Sequence, residues 1–175
     1  MDNPRSITKY DILFFYECCA ALLVNTFVLH WNIAFAVILV LIGLSFELMT
    51  ASSWTYSREF RKSLFVVNNT DVSLMAAFSW AGVLMFFCAL SSLLLDHVVF
   101  SGSRVIIPVL IVGIGGNILE TVCLRWGMFI YNNTPVTRMF ILHDPMFIWG
   151  VPLSVRLGYF IIFGPLCSVL LLIGS

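Results

Sequence analysis

The sequence predicts an all-α integral membrane protein, a polytopic bundle of transmembrane helices forming a single domain over residues 1–175. Three observations carry that prediction: 61% of the 175 residues are hydrophobic, only 10% are charged, and the mean hydropathy is +1.02. A water-soluble domain has roughly 25% charged and about 45–50% apolar residues, so this chain needs hydrocarbon around it. The formal net charge of zero, with no basic cluster beyond Arg58, Arg61 and Lys62, offers no phosphate footprint and excludes a nucleic-acid partner. The five cysteines, Cys18, Cys19, Cys88, Cys123 and Cys167, lie in apolar runs without Cys-x-x-Cys or Cys/His spacing and read as buried thiols.

A crossing of ~30 Å takes about 20 apolar residues as a helix, and five runs satisfy it: residues 12–29, 33–51, 72–95, 105–124 and 145–173. No small-residue cleavage site follows the first, and His30, Trp31 and Asn32 turn the chain straight into the second, so it reads as a retained span rather than a signal peptide. In the fourth, Gly113, Gly115 and Gly116 form a small-residue packing surface rather than a nucleotide loop. The last contains Pro152, Arg156, Gly158, Gly164 and Pro165, so it is expected to kink, tilt or split into a re-entrant piece and a span, the second case making six spans. With the N-terminus in the cytosol, Arg5, Lys9, Arg58, Arg61, Lys62, Arg125 and Arg138 face that side and only Arg104 faces out, which puts the C-terminus on the opposite side.

A shift of 73 residues superposes Gly43 on Gly116, Glu47 on Glu120 and Asp71 on Asp144. This marks an internal two-fold repeat, residues 33–95 and 105–173, with the first span outside it. Each half carries an aromatic segment, Trp54, Tyr56 and Phe60 in the first and Trp126, Phe129 and Tyr131 in the second. Both segments mix rings with arginine, as headgroup-level segments do, and are expected to roof the cytosolic ends of the spans.

Ionisable groups at membrane depth cost roughly 2.5–3.5 kcal/mol each and call for a partner or a function. Glu47, Glu120, Asp71 and Asp144 are the candidate catalytic residues, joined at the same leaflet by Glu17. Arg156, the one cation well inside a span, and Arg125 are their expected counter-ions. An aspartate opening a span is also an ordinary helix N-cap, which gives Asp71 and Asp144 a structural alternative. A carboxylic acid in apolar surroundings keeps its proton near neutrality, and aromatic faces stabilise a cation. Together they suit protonation of a C=C bond in an isoprenoid lipid, the cation being quenched by water or by a second double bond. Trp54, Tyr56, Arg125, Trp126, Phe129, Tyr131, Trp149 and Arg156 are the candidate substrate-binding residues. No metal site and no cofactor is expected, since no zinc, nucleotide or hydrolase motif occurs and His30, His97 and His143 fall in three different turns. Intramembrane carboxylates on repeats equally suit a proton-coupled carrier, and a small bundle also suits an accessory subunit, so a homo- or hetero-oligomer within the membrane stays open.

The run from Glu120 through Arg125, Gly127 and Phe129 to Tyr131, followed by Gly150, Val151, Pro152 and Leu153 and on to Tyr159, resembles the integral-membrane carotenoid hydratases of the bisanhydrobacterioruberin hydratase type. The resemblance covers about 40 residues, from Gly116 to Tyr159. It implies addition of water across a terminal isoprenoid double bond without a redox cofactor, with Glu120, Arg125, Gly127, Tyr131, Pro152 and Asp144 as the residues that carry over. The related membrane-bound terpene and lycopene cyclases share the protonation logic and differ in what captures the cation.

Overall fold

The computed structural model describes residues 7–50, 54–67, 72–98, 100, 102–131 and 146–174. They form a helical bundle with two short β-ribbons at one end. The helices are α1 (Lys9–Leu29), α2 (Ile33–Thr50), α3 (Leu74–Leu95), α4 (Ser103–Arg125) and α5 (Leu153–Gly174). Four of them, α1, α3, α4 and α5, are long and apolar enough to cross a membrane. The 18-residue α2 spans ~27 Å at ~1.5 Å per residue, close to the hydrocarbon thickness. Large apolar side chains cover the outside of the bundle, Phe15, Phe27, Ile33, Leu48, Ile118, Ile161 and Ile173 among them, an arrangement stable only in lipid. The chain is an integral membrane protein.

Local chemistry explains where the helices begin and end. Thr8 and Asp11 form a reciprocal capping box at the start of α1, and Asp11 also accepts the Leu64 N–H at 3.0 Å, tying the post-α2 loop to α1. Ser73 caps α3 by accepting the Ala76 N–H at 3.2 Å. Gly127, at φ +67°, closes α4 in a Schellman turn: its N–H reaches the Leu124 carbonyl at 2.9 Å and the Met128 N–H reaches that of Cys123 at 3.1 Å. α5 starts only at Leu153, because a hairpin of β3 (Phe147–Ile148) and β4 (Val151–Pro152) precedes it, turning through Trp149 and Gly150, both at positive φ. Asp71 and Asp144 are therefore not the N-caps of these helices. Both lie outside the described residues, and the capping expected of Asp71 falls to Ser73.

The expected run 145–173 is divided into the β3–β4 hairpin and a helix that is continuous over Leu153–Gly174. Pro165 sits where Tyr159–Phe163 form a π turn, and the helix runs through it to Gly174. The small residues of α4 bring α5 close, since a Cβ on Gly116 would lie 2.1 Å from the Tyr159 ring and one on Gly113 would lie 2.1 Å from that of Phe160. On the other side of the bundle, Gly43 of α2 does the same for α3, where a Cβ would meet the Ala77 carbonyl at 2.4 Å.

A departure from the all-helical expectation is the ribbon formed by β1 (Trp54–Tyr56) and β2 (Phe129–Tyr131), antiparallel and centred on Thr55 opposite Ile130. These are the two aromatic segments, and pairing lets each satisfy backbone groups of the other. In the core beneath, Trp80 of α3 stacks on Tyr159 and Phe163 of α5 at 6.2 and 5.3 Å. Deeper still, the Cys88 and Cys167 sulfurs lie 2.9 Å apart.

Candidate functional site

Glu47 and Glu120 sit near the ends of α2 and α4, roughly 5 and 8 Å from those ends at ~1.5 Å per residue. Both are buried, with relative exposures of 0% and 7%. The β1–β2 ribbon supplies each with a tyrosine. Tyr56 donates its hydroxyl hydrogen to Glu47 Oε1 at 2.5 Å, and Tyr131 donates to Glu120 Oε1 in a short hydrogen bond. Glu47 Oε1 also accepts the Ser73 N–H at 3.1 Å, so the cap of α3 and the carboxyl of α2 are one structure. Tyr159, carried by the π turn of α5, donates to Glu120 Oε2 at 2.7 Å. Widened turns of this kind recur at functional sites because they re-aim a side chain.

Burial pushes the phenols of Tyr56 and Tyr131 well above their ordinary range, and Glu47 beside the first and Glu120 beside the second push in the same direction. Both roof tyrosines are therefore neutral donors across the physiological range.

These groups line one cavity of about 730 Å³, inside the range of roughly 300–1,000 Å³ typical of small-molecule sites. Its roof is Trp54, Tyr56, Phe129 and Tyr131, with Trp54 packed at 6.1–6.5 Å from the three other rings. Its inner wall is Phe46, Trp80, Tyr159 and Phe163. Glu17 of α1 faces the same space and accepts the Ser79 hydroxyl at 2.6 Å. The outer rim is apolar and exposed, with Tyr16 and Ala20 on α1, Phe86 on α3 and Ile118 on α4. These exposed lining residues belong to the apolar outer surface of the bundle.

Of the sequence-derived candidates, Glu47, Glu120, Trp54, Tyr56, Phe129 and Tyr131 meet in this cavity. Trp126 reaches only its edge and is 60% exposed. Arg125, Trp149 and Arg156 lie outside its wall, and Asp71 and Asp144 fall outside the described residues. Arg156 makes no direct salt bridge with a carboxylate among the described residues, although its charge acts on Glu120 through space. Its guanidinium donates to the Ile148 carbonyl at 2.7 Å, Asn117 Oδ1 at 3.0 Å and Thr121 Oγ1 at 3.2 Å, and rests 5.5 Å from the Trp149 ring. Arg156 thereby pins the β3–β4 hairpin to α4, which a planar fork does better than a point charge. Arg125 is exposed and makes no ion pair among the described residues. No group of three or more His, Cys, Asp or Glu side chains among the described residues forms a metal site.

Sequence reasoning missed Ser73, Ser79, Trp80, Tyr159 and Phe163 as parts of the site. Tyr159 had one signal: a glycine stripe on α4 announces a close neighbour, although it does not say which residue that is. Trp80 and Phe163 look like ordinary span residues until α3 and α5 are placed side by side, whereas Ser73 and Ser79 meet their carboxyl partners on α2 and α1. No family model, curated protein or solved structure matches this chain.

Proposed function

We propose that the chain is a cofactor-independent acid catalyst that hydrates or cyclises a C=C bond of an isoprenoid, such as a carotenoid, inside the membrane. The observation that carries this reading is the meeting of Glu17, Glu47 and Glu120 in one aromatic-walled cavity whose exposed lining residues are mostly apolar. Alkene protonation needs an acid shielded from bulk water and ring faces to stabilise the cation, and the cavity supplies both. A bilayer-dissolved substrate enters past those exposed residues, between α1 and α4.

The resemblance to carotenoid hydratases adds support, because several carried-over residues have a physical part at this site: Tyr131 is bonded to Glu120, Gly127 turns the chain from α4 into the roof, and Pro152 leads into α5.

The same reading takes α2 as a fifth crossing, the N-terminus as cytosolic and the C-terminus as facing the other side, which a reporter fused after Ser175 reads directly. It also takes α2–α3 and α4–α5 as a two-fold repeat about an axis along the membrane normal. What supports such an axis is that the two aromatic segments pair antiparallel, as a two-fold axis passing between them requires.

Purified protein in lipid nanodiscs, supplied with lycopene or squalene, should form a hydrated or cyclised product. Glu120→Gln keeps size but removes the group's capacity to take up or release a proton, so the rate should fall at least ~100-fold while the protein still folds. A wild-type protein that forms no product, and instead moves protons across sealed vesicles with the isoprenoid or retains a partner subunit through purification, refutes the enzyme.

A further inference from the structure

The three carboxyl groups of the cavity differ in what answers them. Glu120 receives a hydroxyl hydrogen on each oxygen, from Tyr131 and Tyr159. Glu47 accepts both a phenol and a backbone N–H on Oε1. Glu17 has a single described hydroxyl partner, Ser79, on Oε2, while its buried Oε1 has no hydrogen-bond partner among the described residues. Oε1 lies against Gly82 of α3, where an added Cβ would stand 3.6 Å away. An ionised carboxylate only accepts, whereas a carboxylic acid needs one acceptor for its own hydrogen. The tyrosine fork on Glu120 therefore suits a proton acceptor. The lone hydroxyl beside Glu17, which accepts as readily as it donates, suits a proton donor.

Resting on the acid-catalysis reading above, we infer that Glu17 is the general acid and that Glu120 in its two-tyrosine fork is the base. In the first step the Glu17 O–H bond breaks and the alkene π pair forms the new C–H bond, leaving a cation on the neighbouring carbon and a carboxylate on Glu17. In the second, water adds to that carbon and passes a proton to Glu120, or, in a cyclisation, an internal alkene adds and a C–H proton goes to Glu120. Return of that proton to Glu17 resets the site. The net change is addition of one water, or an isomerisation, with no electron acceptor required. The position of Glu17 fits this order. It stands on α1, the helix that carries Tyr16 and Ala20 at the outer rim, so a chain end entering there meets it first.

Two measurements test the assignment separately from the reading it rests on. The first needs no substrate: infrared spectra of the protein in phosphatidylcholine nanodiscs at pH 7 should show a protonated-carboxyl C=O band that Glu17→Gln removes and Glu120→Gln leaves in place. The second follows deuterium uptake from D₂O into lycopene and squalene, which Glu17→Gln should slow at least ~100-fold, Glu17→Asp should partly restore, and Ser79→Ala should slow by removing the partner hydroxyl. Melting temperature and elution profile monitor folding, and if Glu17→Gln does not fold, Glu17→Asp and Ser79→Ala carry the test. A Glu17→Gln protein that keeps both the band and wild-type labelling overturns the role of Glu17 and leaves acid catalysis standing. Wild-type protein that labels neither isoprenoid overturns acid catalysis itself, and the assignment with it.

Discussion

Gly116→Ala is a sharp test of how α4 and α5 hold the site together. The new Cβ would lie 2.1 Å from Tyr159 Cδ1 and 2.5 Å from Cε1, against the ~3.5–4.0 Å of a comfortable carbon contact. The ring must therefore move by roughly 1.5 Å, and it is held on two sides. Trp80 stacks on it at 6.2 Å, and its hydroxyl is bonded to Glu120 at 2.7 Å. Overpacking of this kind costs about 1–3 kcal/mol, and losing a hydrogen bond to the carboxyl adds about 1–3 kcal/mol. A combined loss near ~3 kcal/mol corresponds to roughly 6–12 °C in melting temperature for a chain of this length. Gly113→Ala is the internal control, because the same 2.1 Å conflict falls on Phe160, which is half-buried and has no hydroxyl to lose. It should cost no more than about 1–1.5 kcal/mol. Thermal unfolding in lipid nanodiscs measures both, and Tyr159→Ser combined with Gly116→Ala should destabilise by less than the sum of the two single changes. A Gly116→Ala protein melting within ~2 °C of wild type, or one more stable than Gly113→Ala, would refute the close approach of α5 to α4 at this residue.

Alkaline pH should open the roof. The Tyr56 and Tyr131 phenols are raised by burial in the folded protein but ionise near ~10 in the unfolded chain, so stability holds below about pH 10 and falls as the pH rises past it. Tyr131→Phe should flatten part of that fall in a melting series from pH 8 to 11, and a wild-type series with no fall would contradict the buried roof. The Cys88 and Cys167 thiols should be joined by the apolar oxidant iodine, giving one disulfide while the iodine leaves as two iodides and two protons, so that alkylation after unfolding labels three of the five cysteines. Labelling of all five would place the two sulfurs apart.

The helices and their membrane setting could be read from composition and run length alone, because a bilayer forces long apolar segments to satisfy their own backbone. So could the presence of Glu47 and Glu120 at one end of the bundle, since both stand about one or two turns from the ends of helices that must run in the same direction. The partners of those carboxyls could not. Tyr56 and Tyr131 reach them only because two segments more than seventy residues apart pair as strands, and no local pattern encodes a pairing between distant loops. The cap of α3 could not be singled out either, because several polar residues precede that span and only the folded chain shows Ser73 accepting the first free N–H groups. Asp71 and Asp144 lie outside the described residues. Arg156 reads in sequence as a counter-ion, and its charge does act on Glu120. Its direct partners, however, are a backbone carbonyl, an amide and a hydroxyl that only packing of α5 on α4 brings to its planar fork. The sequence by itself determined a lipid-embedded bundle with acids near one face. Tertiary structure alone decided which acids share a cavity, which tyrosines hold them and where the wall opens, because each of those depends on packing between helices whose apolar surfaces look alike in sequence.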